Sequence, residues 1–125
     1  MSTSSNKDAA TNFLRLVVQG KIQEAYDTYI SPGFRHHNAH FPSDAASLQK
    51  GMQENHDLFP QKTLDIQHVV AEGDLVMTHS RLLFSPDKPQ MSVVHIFRFE
   101  DGRIVEMWDT GQAVPDELVN ELGMF

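Results

Sequence analysis

Cysteine is missing from all 125 residues, so disulfides, thiolate metal sites and a cysteine nucleophile are excluded. Long apolar runs are missing too, and none approaches the roughly 20 residues that span a bilayer. The N-terminal stretch MSTSSNKDAATNF lacks the apolar core of a secretory signal, so a soluble cytoplasmic chain with no membrane partner is expected. Positive charge is scarce: 10 Lys and Arg stand against 17 Asp and Glu, for a formal charge of −7. The ten cations are scattered, whereas a nucleic-acid groove needs them clustered, so nucleic acid is not an expected partner.

What the chain does have is a 40% hydrophobic composition without a low-complexity block, which fits one compact domain over residues 1–125, with 1–5 as an unstructured tail. Ser5 can cap a helix over 6–19, with Ala10, Phe13, Leu14, Val17 and Val18 on one stripe and Gly20 as its stop. Ile22, Ala25, Tyr26, Tyr29 and Ile30 repeat at helical spacing until Ser31-Pro32-Gly33 ends the pattern. The next segment, FRHHNAHFP, reads as a loop or a short extended piece. A third helix is expected over 43–59, capped by Ser43 or Asp44 and closed before Pro60, with Ala46, Leu48, Met52 and Phe59 as its apolar surface.

From Thr63 the period changes to two. The runs 64–71, 75–84, 91–99 and 104–111 are strand-like and are separated by EGD, SPDKP and EDG turns, which predicts a four-stranded antiparallel meander. A last helical turn is expected over 115–122, with Pro115 near its first position. Helices first and strands afterwards make the fold class α+β.

The chemistry-bearing residues gather at the last hairpin, HIFRFEDGRIVEMWD. A two-residue Asp101-Gly102 turn would set His95 opposite Trp108 and put Asp109 on the other face. A three-residue Glu100-Asp101-Gly102 loop would place His95, Phe97, Phe99, Val105, Met107 and Asp109 on one face, an apolar floor with two polar groups at one end. The side chains favour the three-residue loop, because the even set of Ile96, Arg98, Ile104, Glu106 and Trp108 mixes charge with bulk. A carboxylate and an imidazole on such a floor are coupled and partly desolvated, which is how a neutral-pH acid/base pair is tuned. By spacing alone, a buried His-Asp pair satisfying its own hydrogen bonds is the commoner arrangement.

Other polar candidates are weaker. His36, His37, Asn38 and His40 form the densest imidazole cluster, but no carboxylate or second His pair stands at a ligand spacing, so no metal is expected. A pocket rim with Asn38 and one of the histidines suits the segment better. His79 shares parity with Leu75 and Met77 and is expected to point inward. His56 and His68 have no supporting context, and Ser80 lacks the elbow of a nucleophilic serine.

The order of helices and meander, the FRHHNAHFP loop and VVHIFRFEDGRIVEMWDTGQAVPDE together resemble the SnoaL-like polyketide cyclases of the nuclear transport factor 2-like superfamily, over about residues 8–118. The resemblance implies a cone in which a bent sheet wraps helices around one pocket, and a homodimer joined through the outer sheet face. It also implies an acid/base role for Asp109, with His95 beside it and His37 and Asn38 looking toward the pocket. His79, Phe97, Met107 and Met52 complete the expected ligand-binding set. Two departures from the family pattern are Met107, where many relatives carry His, and His95, where many close relatives carry Asp. The function expected is a cofactor-independent cyclase or isomerase acting on a small hydrophobic carbonyl compound. The alternative is a non-catalytic binding or sensing domain that uses the same pocket.

Overall fold

The computed structural model describes residues 3–86 and 90–125. Helix α1 spans Thr3–Val18 and α2 spans Ile22–Tyr29. Residues 3–5, expected as tail, are therefore helical, while Met1 and Ser2 lie outside the described residues. The end of α1 is set by Gly20 at φ 84°: Lys21 N–H donates to Leu16 O at 2.9 Å and Gly20 N–H to Val17 O at 3.1 Å. That paired closure of the last carbonyls requires a left-handed residue, which glycine adopts without a Cβ penalty.

Strand β1, Ile30–His36, follows directly, then α3, Ala45–Leu58. Asp44 caps α3, its carboxylate accepting from Ser47 N–H at 2.9 Å and Ser47 Oγ–H at 2.8 Å. Of the apolar surface expected on α3, Leu48 is buried and Ala46 exposed. The meander follows as β2 (Thr63–Glu72), β3 (Leu75–Leu83), β4 (Gln90–Glu100) and β5 (Arg103–Ala113). Part of the turn expected between β3 and β4 falls at 87–89, outside the described residues. Residues 115–122 contain bends and turns rather than the expected helical turn.

The sheet has five strands in the order β1-β5-β4-β3-β2, and β1 runs parallel to β5. The expected antiparallel meander is present, and β1 adds a fifth strand before α3, so that the start of the FRHHNAHFP segment takes the extended form of the two expected for it. Arg103 helps fix this edge, donating to Asp27 O and Ile30 O at 3.2 Å each. Helices α1 and α2 cover the inner face of the sheet. The core between them joins Phe13, Leu14, Ile22 and Tyr26 to Val76, Phe97, Phe99, Ile104 and Met107. Phe97 is fully buried, with its ring edge-on to Phe13 at 6.1 Å. Among the described residues, no helix is long and apolar enough to cross a membrane.

The register of the last hairpin combines features of both expectations. Glu100 pairs with Arg103 across a two-residue turn in which Asp101 (φ 52°) and Gly102 (φ 79°) are both left-handed, the geometry that matches strand twist. A bulge at Val105 then inserts one extra residue, so that Arg98 pairs with Glu106, Phe97 with Met107 and His95 with Asp109. The three-residue loop is thus corrected to a two-residue turn plus a bulge. Inward phase switches from even at Ile104 to odd at Met107 and Asp109, and fully buried Ile104 takes the floor position expected of Val105.

Candidate active site

Between α1, α3 and the inner sheet face lies a cavity of about 650 Å³. Its walls are mostly apolar: Leu14, Val17 and Val18 from α1, Leu48 and Met52 from α3, and Leu64, Leu82, Met91 and Val93 from the sheet. Polar groups enter from a few places, namely Asn38 and His40, the Asn55-Lys62 pair, and His95, Asp109 and Thr110. An apolar chamber of this size with a few converging polar groups is the usual form of a small-ligand site.

The bulge places His95 and Asp109 side by side on adjacent strands, both facing the cavity. Asp109 Oδ2 accepts a hydrogen bond from Asn38 Nδ2 at 2.9 Å, across 71 positions of sequence. The Asn38 amide is oriented at its other end, where Oδ1 accepts from His40 N–H at 2.9 Å. No hydrogen bond joins His95 to Asp109 among the described residues, and His95 Nδ1 is buried without a partner. Burial pushes the His95 imidazole below its ordinary range, and the Asp109 charge opposes that only in part. The site therefore presents a neutral imidazole beside a carboxylate held by an amide. Thr78, opposite His95 in the register, and Ser80 add buried hydroxyls without partners beneath the same region.

The segment that carries Asn38 is gripped from both sides. Within, buried His36 accepts from Asn38 N–H at Nδ1 (3.1 Å), so its proton is on Nε2, which donates to Pro42 O at 2.6 Å. Outside, His37 stacks on Trp108, with ring centroids 5.0 Å apart and planes 2° apart, and its Nε2 bonds Glu106 Oε2 at 2.7 Å. Its backbone N–H donates to Met107 O at 2.9 Å. Hydrogen bonds from His37 and Arg98 hold the Glu106 carboxyl below the usual range.

The expected site residues divide accordingly. Asp109, His95, Asn38 and Met52 line the cavity. Phe97 and Met107 lie in the core below it, with Phe97 stacked against His95 at 5.8 Å. His37 is on the outer face, because a strand running parallel to β5 turns successive residues to opposite sides and Asn38 takes the inner one. His79 is also outside, stacked on His68 at 5.3 Å and on Phe125 at 5.9 Å, with Nε2 in a 3.0 Å bond to Ser92 Oγ. Its parity with Leu75 and Met77 holds, but these two are the exposed set, at 38% and 42%, and Val76, Thr78 and Ser80 face in. Two buried hydroxyl residues on the inner face disguised which set was inner.

Sequence reading missed Lys62 and Asn55. Lys62 Nζ donates to Asn55 Oδ1 at 2.5 Å on the cavity wall, and burial pushes its ammonium below the usual lysine range. No periodicity marks either residue; the only local cue is the turn after Pro60, where Lys62 N–H donates to Phe59 O. Among the described residues no cluster of three or more His, Asp or Glu could hold a metal.

Helices over a curved, open, mixed sheet, with the Asp109 carboxylate set into an apolar chamber, define a protein built around a cavity of small-molecule size. The chain belongs to the SnoaL-like domain family, which matches residues 10–107. Among solved structures it is similar to a candidate polyketide cyclase from Acidithiobacillus ferrooxidans, with 27% identity, 89% of this chain and 91% of that chain covered, and a TM-score of 0.71. It is also similar to IdmH, a candidate polyketide cyclase from Streptomyces antibioticus (23% identity, 85% and 91% covered, TM-score 0.70). A third is an LEH-like epoxide hydrolase from M. tuberculosis (20% identity, 88% and 84% covered, TM-score 0.68). No curated protein matches the chain in sequence at a significant level. Neighbours of such different chemistry show the shared nuclear transport factor 2-like cone and leave the reaction to be argued from the site.

Proposed function

We propose that the protein is a cofactor-independent enzyme of the cyclase or isomerase type. In this reading Asp109 removes a proton next to a carbonyl in a hydrophobic substrate. The observation that carries it is the Asp109 carboxylate, fixed by the Asn38 amide at 2.9 Å, facing an apolar cavity next to an imidazole kept neutral by burial. A carbonyl placed there would put its α-carbon against Asp109 and its oxygen within reach of His95, whose neutral ring has one N–H to donate to the developing enolate. Either intramolecular aldol closure or return of the proton to another carbon completes a reaction.

Proton abstraction can be read without the natural substrate. Aryl ketones and β-diketones incubated in D2O should lose their α-proton signal faster with the protein, and Asp109→Asn should abolish the acceleration. Exchange that proceeds equally in Asp109→Asn refutes the assignment. Binding without any exchange supports the second reading, a ligand-binding domain, which the predominance of apolar wall over polar groups favours. We further propose a homodimer through the outer sheet face. There Val70, Leu75 and Met77 are exposed beside Ile96 and Trp108, an apolar patch of the kind that marks an interface; a monomer in sedimentation would overturn it.

A further inference from the structure

The acid/base reading leaves the far wall of the cavity without a role. Among the described residues Lys62 is the one lysine or arginine that lines the cavity, beside the edge strand β2 and three strands across the sheet from β5 and Asp109. Its ammonium is half-buried and, among the described residues, makes one hydrogen bond, to Asn55 Oδ1, which leaves two N–H groups undirected there. No carboxylate among the described residues lies within ion-pair distance of it. An ammonium drawn away from water into an apolar wall is disfavoured unless an anion joins it. The cavity is therefore electrically polarised, with a carboxylate at one end and an ammonium at the other. Three strand spacings of about 4.8 Å separate β5 from β2, the strand that Lys62 precedes.

We propose that Lys62, oriented by Asn55, binds the carboxylate of an extended amphipathic acid whose apolar body fills the cavity and whose other end reaches Asp109. This rests on the same reading of the cavity and names its substrate class. Asp109 repels an anion from its own end, and Lys62 attracts one to the other, so a single orientation of the acid is favoured. Lys62 is here a binding residue that takes no part in proton transfer.

The test compares decanoate with decanol as probes of the full chain by calorimetry at low ionic strength. Wild type should bind decanoate at least about tenfold more tightly than decanol, the ratio one charge-assisted contact supplies. Lys62→Gln should lose that preference and Lys62→Arg keep it. Lys50→Gln, which removes the same charge from an exposed position on α3, should leave it unchanged. An absent preference in wild type, or one that survives Lys62→Gln, overturns the proposal. So does a loss in Lys50→Gln equal to that in Lys62→Gln, which would show only a net-charge effect. Asp109→Asn should retain the preference, so failure of the acid/base reading and failure of this one give different results.

Discussion

Asn38 carries the most informative perturbation, because one side chain joins the loop after β1 to the carboxylate on β5. Its amide donates to Asp109 Oδ2 at 2.9 Å and its carbonyl accepts from His40 N–H at 2.9 Å. A hydrogen bond to a charged group contributes about 1.5–3 kcal/mol and a neutral one about 1 kcal/mol. The first is partly buried and the second exposed, so the lower ends apply and Asn38→Ala should cost about 2 kcal/mol. The bond itself is isolated by a double-mutant cycle with Asp109→Ala, read by urea unfolding of the four proteins. The coupling energy should be about 1.5 kcal/mol, whereas non-interacting residues add to within about 0.3–0.5 kcal/mol. Coupling inside that additive limit would refute the claim that Asn38 holds the carboxylate. Asn38→Asp supplies a second check: it sets one carboxylate against another, so it should destabilise more than Asn38→Ala at neutral pH and recover on acidification.

Two further outcomes are expected. Phe97→Ala removes a fully buried ring from between Phe13 and His95 and should cost about 3–5 kcal/mol in urea unfolding; a loss below about 1.5 kcal/mol would mean that the core there is loosely packed. His95 has its folded-state pKa lowered by burial, so the unfolded chain takes up that proton first. Stability should then fall as pH drops below about 6.5, and that segment of the profile should flatten in His95→Gln. An unchanged slope in the variant would contradict the burial of a neutral imidazole. Loss at still lower pH has other sources, since Asp44 and Glu106 are both held below the usual carboxyl range and surrender their bonds when protonated.

Much of the architecture is legible locally. Helical spacing in 10–18 and 22–29 and alternation in each meander strand follow from the need to bury one face, whereas Ile30, read at helical spacing, opens β1; Gly20 and Asp101-Gly102 mark chain reversals through their left-handed backbones. The register of the hairpin is only half legible. The turn chemistry indicates two residues and the side-chain pattern indicates an odd-numbered inner face, and the two agree only once Val105 bulges out. A bulge leaves no residue signature of its own, so a choice between two turn lengths could not contain the answer.

By itself the sequence determined the α+β class, the meander, and His95 with Asp109 as the residues to examine, because periodicity and turn propensity are properties of neighbouring residues. Tertiary structure decided the rest. Pairing of β1 with β5 turned His37 out onto Trp108 and Asn38 in onto Asp109, although the two residues are adjacent in the chain. The packing of α3 and of its connection to β2 brought Asn55 and Lys62 onto the wall of the chamber that also holds Asp109. Such placements depend on strand order and on which of two faces meets the core, and both are settled only when segments distant in sequence compete to bury the same surface.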